Sequence, residues 1–116
     1  MQDKARVEKI VLKKIIDYCE QIENLVQTFG GTFEKFSENP AFQLASSACV
    51  IQIGELTTRL SKEFKEEHPD IEWRGIKAYR NIHVHDYENL NIEKAWEVLV
   101  DDIPELKAKL QILLED

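Results

Sequence analysis

The stretch "RVEKIVLKKIIDYCEQIENLVQTFGG" (residues 6–31) places apolar side chains at Val7, Val11, Ile15, Tyr18, Ile22, Leu25 and Phe29. The steps of three and four keep these residues on one face of an α-helix. Leu12, Ile16, Cys19 and Val26 form a second row beside the first. The apolar arc is wider than one neighbouring helix needs. It predicts packing on two sides, and the surplus also fits a second copy of the chain, a homodimer. Gly30 and Gly31 end the helix, because glycine accepts the left-handed backbone of a helix C-terminus.

The same periodicity recurs downstream. "TFEKFSEN" (residues 32–39) reads as a short helix with Phe33 and Phe36 turned inward. Asn39 and Pro40 open the next helix as cap and first-turn residue. Its stripe is Ala45, Cys49, Ile53, Leu56, Leu60 and Phe64, with Gly54 allowing close approach by another helix and Glu55 either solvated or a buried partner for a cation. "EEHPDIEW" (residues 66–73) breaks the chain, since a residue before proline disfavours helix. Asp70 is a candidate cap for a helix that starts near residues 71–73 and runs through Tyr79. "HDYENLN" (residues 85–91) reads as a frayed helix end and loop, with Asn91 capping a last helix. There the stripe Ile92, Trp96, Leu99, Ile103, Leu106, Leu110 and Leu113 keeps its phase through Pro104, which predicts a kink without reversal. The fold class is all-α: an antiparallel bundle of four main helices plus one short helix, in a single domain over residues 1–116.

Composition narrows the possibilities. Gly and Pro number only 4 and 3 among 116 residues, which argues against an all-β fold. The formal net charge of -7 repels nucleic acid and acidic membranes overall, so a polyanion must meet a local basic patch. Cys19 and Cys49 lack CxxC spacing and read as buried free thiols of a reducing cytosol. No apolar run is long enough to span a bilayer, and "MQDKARVEKI" has no signal core, so a cytoplasmic location is expected.

"YRNIHVHDY" (residues 79–87) is the segment richest in chemistry. Cleavage of RNA without metal requires removal of the 2′-hydroxyl proton, stabilisation of the phosphoryl oxygens and protonation of the leaving oxygen. A histidine suits either proton step. An arginine offers a permanently charged planar fork for phosphate oxygens. Arg80 and His85 supply that core, with Asn81 holding substrate or a histidine tautomer. Five residues on an ideal helix turn through about 140°, so these two converge only if the helix ends near Val84 or if two copies face each other. His83 is the better partner of Arg80 on one face, and the sequence leaves open which histidine acts. Arg74 and Lys77 precede Arg80 at steps of three and are candidate phosphate contacts. The bland reading is a helix C-terminus whose cations complement the dipole, with a solvated basic face. A metal site of His83, His85, Asp86 and His68 lacks HExxH or CxxC spacing, and a nucleophilic triad lacks a nearby serine or cysteine. Neither a metal nor another cofactor is expected.

"RNIHVHDY" (residues 80–87) resembles the signature of the HEPN superfamily, in particular the HepT-like toxins of HepT–MntA toxin–antitoxin systems. "FEKFSENP" (residues 33–40), "IGELTTRLSKEFKEEHPDIEWRGIKAYRN" (residues 53–81) and "NIEKAWEVLVDDIPELKAKL" (residues 91–110) are similar to further blocks of that family, in the same order. The resemblance implies a helical homodimer with a metal-independent endoribonuclease site in a groove between protomers, of a type VII-like toxin–antitoxin pair. It places Arg80 and His85 at the catalytic positions and Asn81 at the polar position after the arginine. It makes Tyr87 the tyrosine that an MntA-like nucleotidyltransferase antitoxin adenylylates. His83 departs from the apolar or long side chain expected at that position. The alternatives are a non-catalytic helical subunit that only binds the nucleotidyltransferase, and a generic helical adaptor.

Overall fold

A computed structural model describes residues 4–84 and 91–115, with side chains from 5 to 79 and from 91 to 115. Every described element is helical. Helix α1 covers Lys4–Thr28, α2 Phe33–Glu38, α3 Pro40–Thr57, α4 Lys62–Glu67, α5 Trp73–Val84, α6 Ile92–Glu97 and α7 Ile103–Glu115, with a π-helical turn over Val98–Asp102. The molecule measures 49 × 25 × 22 Å, an elongated shape set by its long helices.

The expected helix starts are present and have local causes. Asn39 Oδ1 accepts from Ala41 N–H at 3.0 Å and Phe42 N–H at 3.2 Å. Asn91 Oδ1 accepts from Lys94 N–H at 3.0 Å. Each satisfies a donor that has no partner inside the helix. Gly30 and Gly31 have φ of 108° and 70°, the left-handed region the end of α1 requires.

Three expectations need correction. The stripe Leu56, Leu60 and Phe64 does not belong to one helix. Helix α3 ends at Thr57, and Ser61 starts α4 by accepting from Phe64 N–H at 3.1 Å. Thr57 and Thr58 bond back to the carbonyls of Gly54 and Glu55 at 2.8 and 2.6 Å, an arrangement that competes with continued helix. Ser61 also donates to Glu8 Oε1 at 2.8 Å, which ties the break to α1. Next, Asp70 does not cap α5. Its carbonyl accepts from Lys109 Nζ at 2.8 Å, and the first bond of α5 runs from Ile76 N–H to Glu72 O. Finally, of the two α2 aromatics, only Phe36 is buried; Phe33 stays at the margin.

The core is one continuous apolar cluster. Helix α1 packs on α3 along one side and on α7 along the other, so its wide arc is used within the chain. Only Val7 and Ile10 at its start remain about half exposed. Helix α3 also packs on α5, and Gly54 is buried within it, while Glu55 is exposed. Phe29 stacks on Phe42 at 5.0 Å, and Phe36 meets Phe42 edge-on at 5.1 Å and Trp96 at 5.4 Å. Such pairs contribute about 0.5–1.5 kcal/mol each beyond burial. Gln43 Nε2 donates to Phe36 O at 2.8 Å and holds α2 against α3.

Helical backbone runs without interruption from Ile92 to Glu115. Where a kink was expected there is the π turn: Ile103 N–H donates to Val98 O, five residues back. Pro104 follows immediately. It has no N–H and its ring crowds the carbonyl one turn earlier, and the wider turn makes room for that ring. Leu99, Ile103, Leu106 and Leu110 all stay buried across it.

Two glycines give opposite expectations for stability. Gly31→Ala forces a side chain into the left-handed region and is expected to lower stability by about 1–2 kcal/mol. Gly75 lies inside α5, and an added Cβ would meet its nearest neighbour, Glu72 Cβ, at 3.4 Å, an ordinary contact. Gly75→Ala is therefore expected to raise stability by about 0.4–1 kcal/mol. Urea titrations of both variants check the two signs.

Candidate active site

The segment that carries the candidate residues is positioned by a polar clamp at its start. Pro69 ends α4, and His68 N–H closes that helix on Lys65 O at 3.2 Å. The Trp73 indole N–H then donates to both Lys65 O and His68 O, each at 3.1 Å. The His68 ring lies against Phe64 with centroids 4.6 Å apart. The first residue of α5 thus gives two carbonyls at the end of α4 a second donor. Ile76 is buried one turn later, and Tyr79 is half-buried.

The sequence candidates fall into three groups. Arg74 and Lys77 are exposed on α5, as a phosphate-binding role requires. Arg80, Asn81 and His83 are helical positions of α5, whose side chains lie outside the described residues. His85, Asp86 and Tyr87 lie outside the described residues altogether. Within α5, positions 80 and 83 are three apart, the spacing of neighbours on one face. A step of three falls short of a full turn by about 60°, so Arg74, Lys77 and position 80 do not form a straight row. Position 80 is instead four residues beyond buried Ile76, and position 81 is four beyond exposed Lys77.

Two features were not foreseen. Lys62 and Lys65 of α4 line a groove of about 540 Å³ together with Trp73, Arg74, Lys77 and Glu66. Four cations, with Glu66 and Glu72 among them, therefore share a concave surface on a chain of net charge -7. A lysine pair three apart on α4 was a visible signal, but the facing of α4 and α5 is tertiary. The second feature is the seam between α5 and the π turn, where Tyr79 and Asp102 line the same small cavity. Burial, followed by the Asp102 charge, pushes the Tyr79 hydroxyl up to about 12. Burial also raises Asp102 above the usual carboxylate range, while the nearby Tyr79 hydroxyl pulls it back.

A larger groove lies elsewhere. It has a volume of about 770 Å³ between α1 and α3 and is lined by Tyr18, Leu25, Ala45, Ala48, Cys49 and Ile51 among others. Its Cys49 thiol is raised by burial, and Cys19 is pushed up to about 12, also chiefly by burial. Both cysteines are free and buried, and neither is poised as a thiolate nucleophile. Among the described residues, no helix is long and apolar enough to cross a membrane.

Comparison with known proteins gives a consistent result. The sequence model of the family described as "HepT-like: Ribonuclease HepT-like" matches residues 15–113. The chain is 32% identical over 104 residues to "Putative RNase TTE0752" of Caldanaerobacter subterraneus subsp. tengcongensis, spanning 90% of this chain and 91% of that protein. It is 31% identical over 108 residues to "Probable ribonuclease HepT" of Thermococcus cleftensis, spanning 93% and 96%. It is 27% identical over 108 residues to "Putative RNase MJ1216" of Methanocaldococcus jannaschii, spanning 93% and 88%. No solved structure matches at the level of significance that these relatives reach. The matched span runs from the middle of α1 to the last turns of α7, and these relatives align almost end to end: the chain belongs to the HepT-like ribonuclease family of the HEPN superfamily.

Proposed function

We propose that this chain is a metal-independent endoribonuclease, the toxin of a type VII-like pair, and that Arg80 and His85 perform the cleavage. The observation that carries the reading is the family match over residues 15–113, which takes in the whole segment from Arg74 to Tyr87. The names of the relatives agree on ribonuclease activity. In this mechanism the RNA 2′-oxygen attacks the adjacent phosphorus and the bond from phosphorus to the 5′-oxygen breaks. His85 exchanges the proton with the attacking or leaving oxygen, and Arg80 neutralises charge on the equatorial oxygens. Asn81 holds the substrate or the histidine tautomer, and His83 assists. Arg74 and Lys77 bind flanking phosphates, a role supported by their exposure and by the cationic groove they share with Lys62 and Lys65.

The same reading takes residues 1–116 as one domain whose four long helical segments form an antiparallel bundle, working as a homodimer in the cytoplasm. Support for a dimer comes from α3, where Ala41, Leu44 and Ala48 leave an apolar strip uncovered, Leu44 being 57% exposed. Neutralisation proceeds through Tyr87. Its hydroxyl attacks the α-phosphorus of ATP in an MntA-like nucleotidyltransferase antitoxin, and pyrophosphate leaves. The added phosphodiester occupies Arg80 and obstructs substrate phosphate.

Incubation of the pure protein with total RNA in EDTA tests the activity. The wild type is expected to cleave. Arg80→Ala and His85→Ala are each expected to lose about a hundredfold or more, and His83→Ala about tenfold. No cleavage by the wild type would remove the ribonuclease reading, and the reverse order of the two histidines would move the proton-transfer role to His83. For Tyr87, intact-mass measurement after incubation with ATP and a cognate antitoxin is expected to show one added AMP moiety, absent from Tyr87→Phe. An inhibited toxin of unchanged mass would contradict control by adenylylation.

A further inference from the structure

We propose that the groove between α4 and α5 is a subsite for single-stranded RNA. A nucleotide flanking the scissile linkage stacks its base on Trp73 and sets its phosphates against Lys62, Lys65, Arg74 and Lys77. The purpose of this subsite rests on the ribonuclease reading above, which it deepens; the binding rests on the groove itself. Lys62, Lys65 and Trp73 lie outside the motif that carries the proposed cleavage chemistry.

The cations come from both walls. Lys62 and Lys65 belong to α4, and Arg74 and Lys77 to α5, around a space of about 540 Å³. Sites for small ligands span about 300–1,000 Å³, so the groove has room for a nucleotide unit. Lys62, Arg74 and Lys77 are exposed and Lys65 is half-buried. Glu66 and Glu72 line the same space, and the balance stays positive. Among the described residues, none of the four cations is paired with a carboxylate, whereas Lys107 is held by Glu23 at 2.7 Å and Lys109 by Glu105 at 3.2 Å. The groove cations are thus open to phosphate, and each contact releases counterions from the RNA.

The ring is fixed before any ligand arrives. The Trp73 indole N–H is engaged by Lys65 O and His68 O, at 3.1 Å each, and Phe64 lies beside the ring with centroids 6.1 Å apart. Trp73 is half-buried, and with its N–H engaged elsewhere it offers the groove ring surface. The link between the two helices is anchored too. Ile71, which also lines the groove, is buried, and Lys109 Nζ of α7 donates to Asp70 O at 2.8 Å. A platform held this way pays little ordering cost when a base lands on it.

An aromatic ring among cations is the combination that suits a single strand. The ring stacks on an unpaired base of any identity, and the cations follow the backbone. Duplex RNA offers no unstacked base, and its major groove is too narrow for side chains to enter. An acidic protein surface would use the lysines and leave the ring without a role. Membership in a ribonuclease family also favours RNA over such a partner. The groove lies on the helix that carries the candidate site: Lys77 is three residues before position 80, about 4.5 Å along the axis.

The test titrates the full chain against a fluorescein-labelled 2′-O-methyl RNA of about ten nucleotides, whose blocked 2′-oxygens prevent cleavage. Lys62→Gln combined with Lys65→Gln is expected to raise Kd about tenfold and to flatten the slope of log K against log salt by about 1.4. Lys13→Gln combined with Lys14→Gln removes the same charge from exposed positions of α1 and should change Kd by about twofold or less. The probe in duplex form should bind about tenfold more weakly than the single strand. The chain has two tryptophans, so in a Trp96→Phe background the single strand should quench the emission of Trp73 alone. Cleavage of a long RNA by the Lys62, Lys65 variant should show KM raised about tenfold with kcat within about twofold. Equal weakening by the two lysine pairs, equal affinity for the duplex, or an unquenched Trp73 would each overturn the proposal. So would unchanged RNA binding by the α4 pair together with lost binding of a cognate nucleotidyltransferase, which would assign the groove to a protein. If the wild type binds the probe as expected but cleaves no RNA, the ribonuclease reading falls and the subsite stands.

Discussion

Helix α3 has to be covered on more than one side. Phe42, Cys49, Val50, Ile53 and Leu56 are all buried, and Gly54 and Thr57 are buried between them. A helix apolar over so much of its circumference cannot lie on a surface. Helix α1 covers one side and α5 another, and both placements follow from that demand. The candidate catalytic helix is thus located first by the burial of its neighbour. Its own sequence, with exposed Arg74, Lys77 and Ala78, contributes only a narrow apolar edge.

Apolar burial fixes where α5 lies but leaves its ends and its angle to polar contacts. At the start, the Trp73 indole bridges two carbonyls of the preceding turn. Further along, Tyr79 shares a small cavity with Asp102 of the π turn. The division of labour is physical. Area removed from water supplies most of the free energy and tolerates sliding. Hydrogen bonds contribute less net energy and tolerate little misalignment. A helix proposed to present a guanidinium to a phosphate needs both.

What could be read from the chain reflects how far apart the cooperating atoms are. The caps at Asn39 and Asn91 and the glycine stop at Gly30 and Gly31 are complete within three residues, and their chemistry is visible in the sequence. The core rows of α1 and of the last helix depend on spacing alone and were equally visible. The break between Thr57 and Ser61 was hidden because Leu56, Leu60 and Phe64 keep helical spacing across it. The partner that stabilises it, Glu8, is 53 residues away. In the candidate site, the exposure of Arg74 and Lys77 followed from the pattern. Lys62 and Lys65 did not, because they join that surface only when α4 folds back beside α5. The cavity that Tyr79 and Asp102 both line joins residues of α5 and of the π turn, far apart in the chain.

The turn at Val98–Asp102 is, in effect, a one-residue insertion stored inside a helix. Its extra residue is tolerated because Pro104 has no amide proton to offer, so a regular ladder could not have closed there in any case. Chain length and imino acid are therefore coupled. Removing one residue from this segment while keeping Pro104 would leave a carbonyl stranded beside the core. Replacing Pro104 while keeping the residue would return a donor to this stretch and leave the wider turn in place. A paired change, one deletion with one substitution, is the route by which a straight helix could be written into this chain.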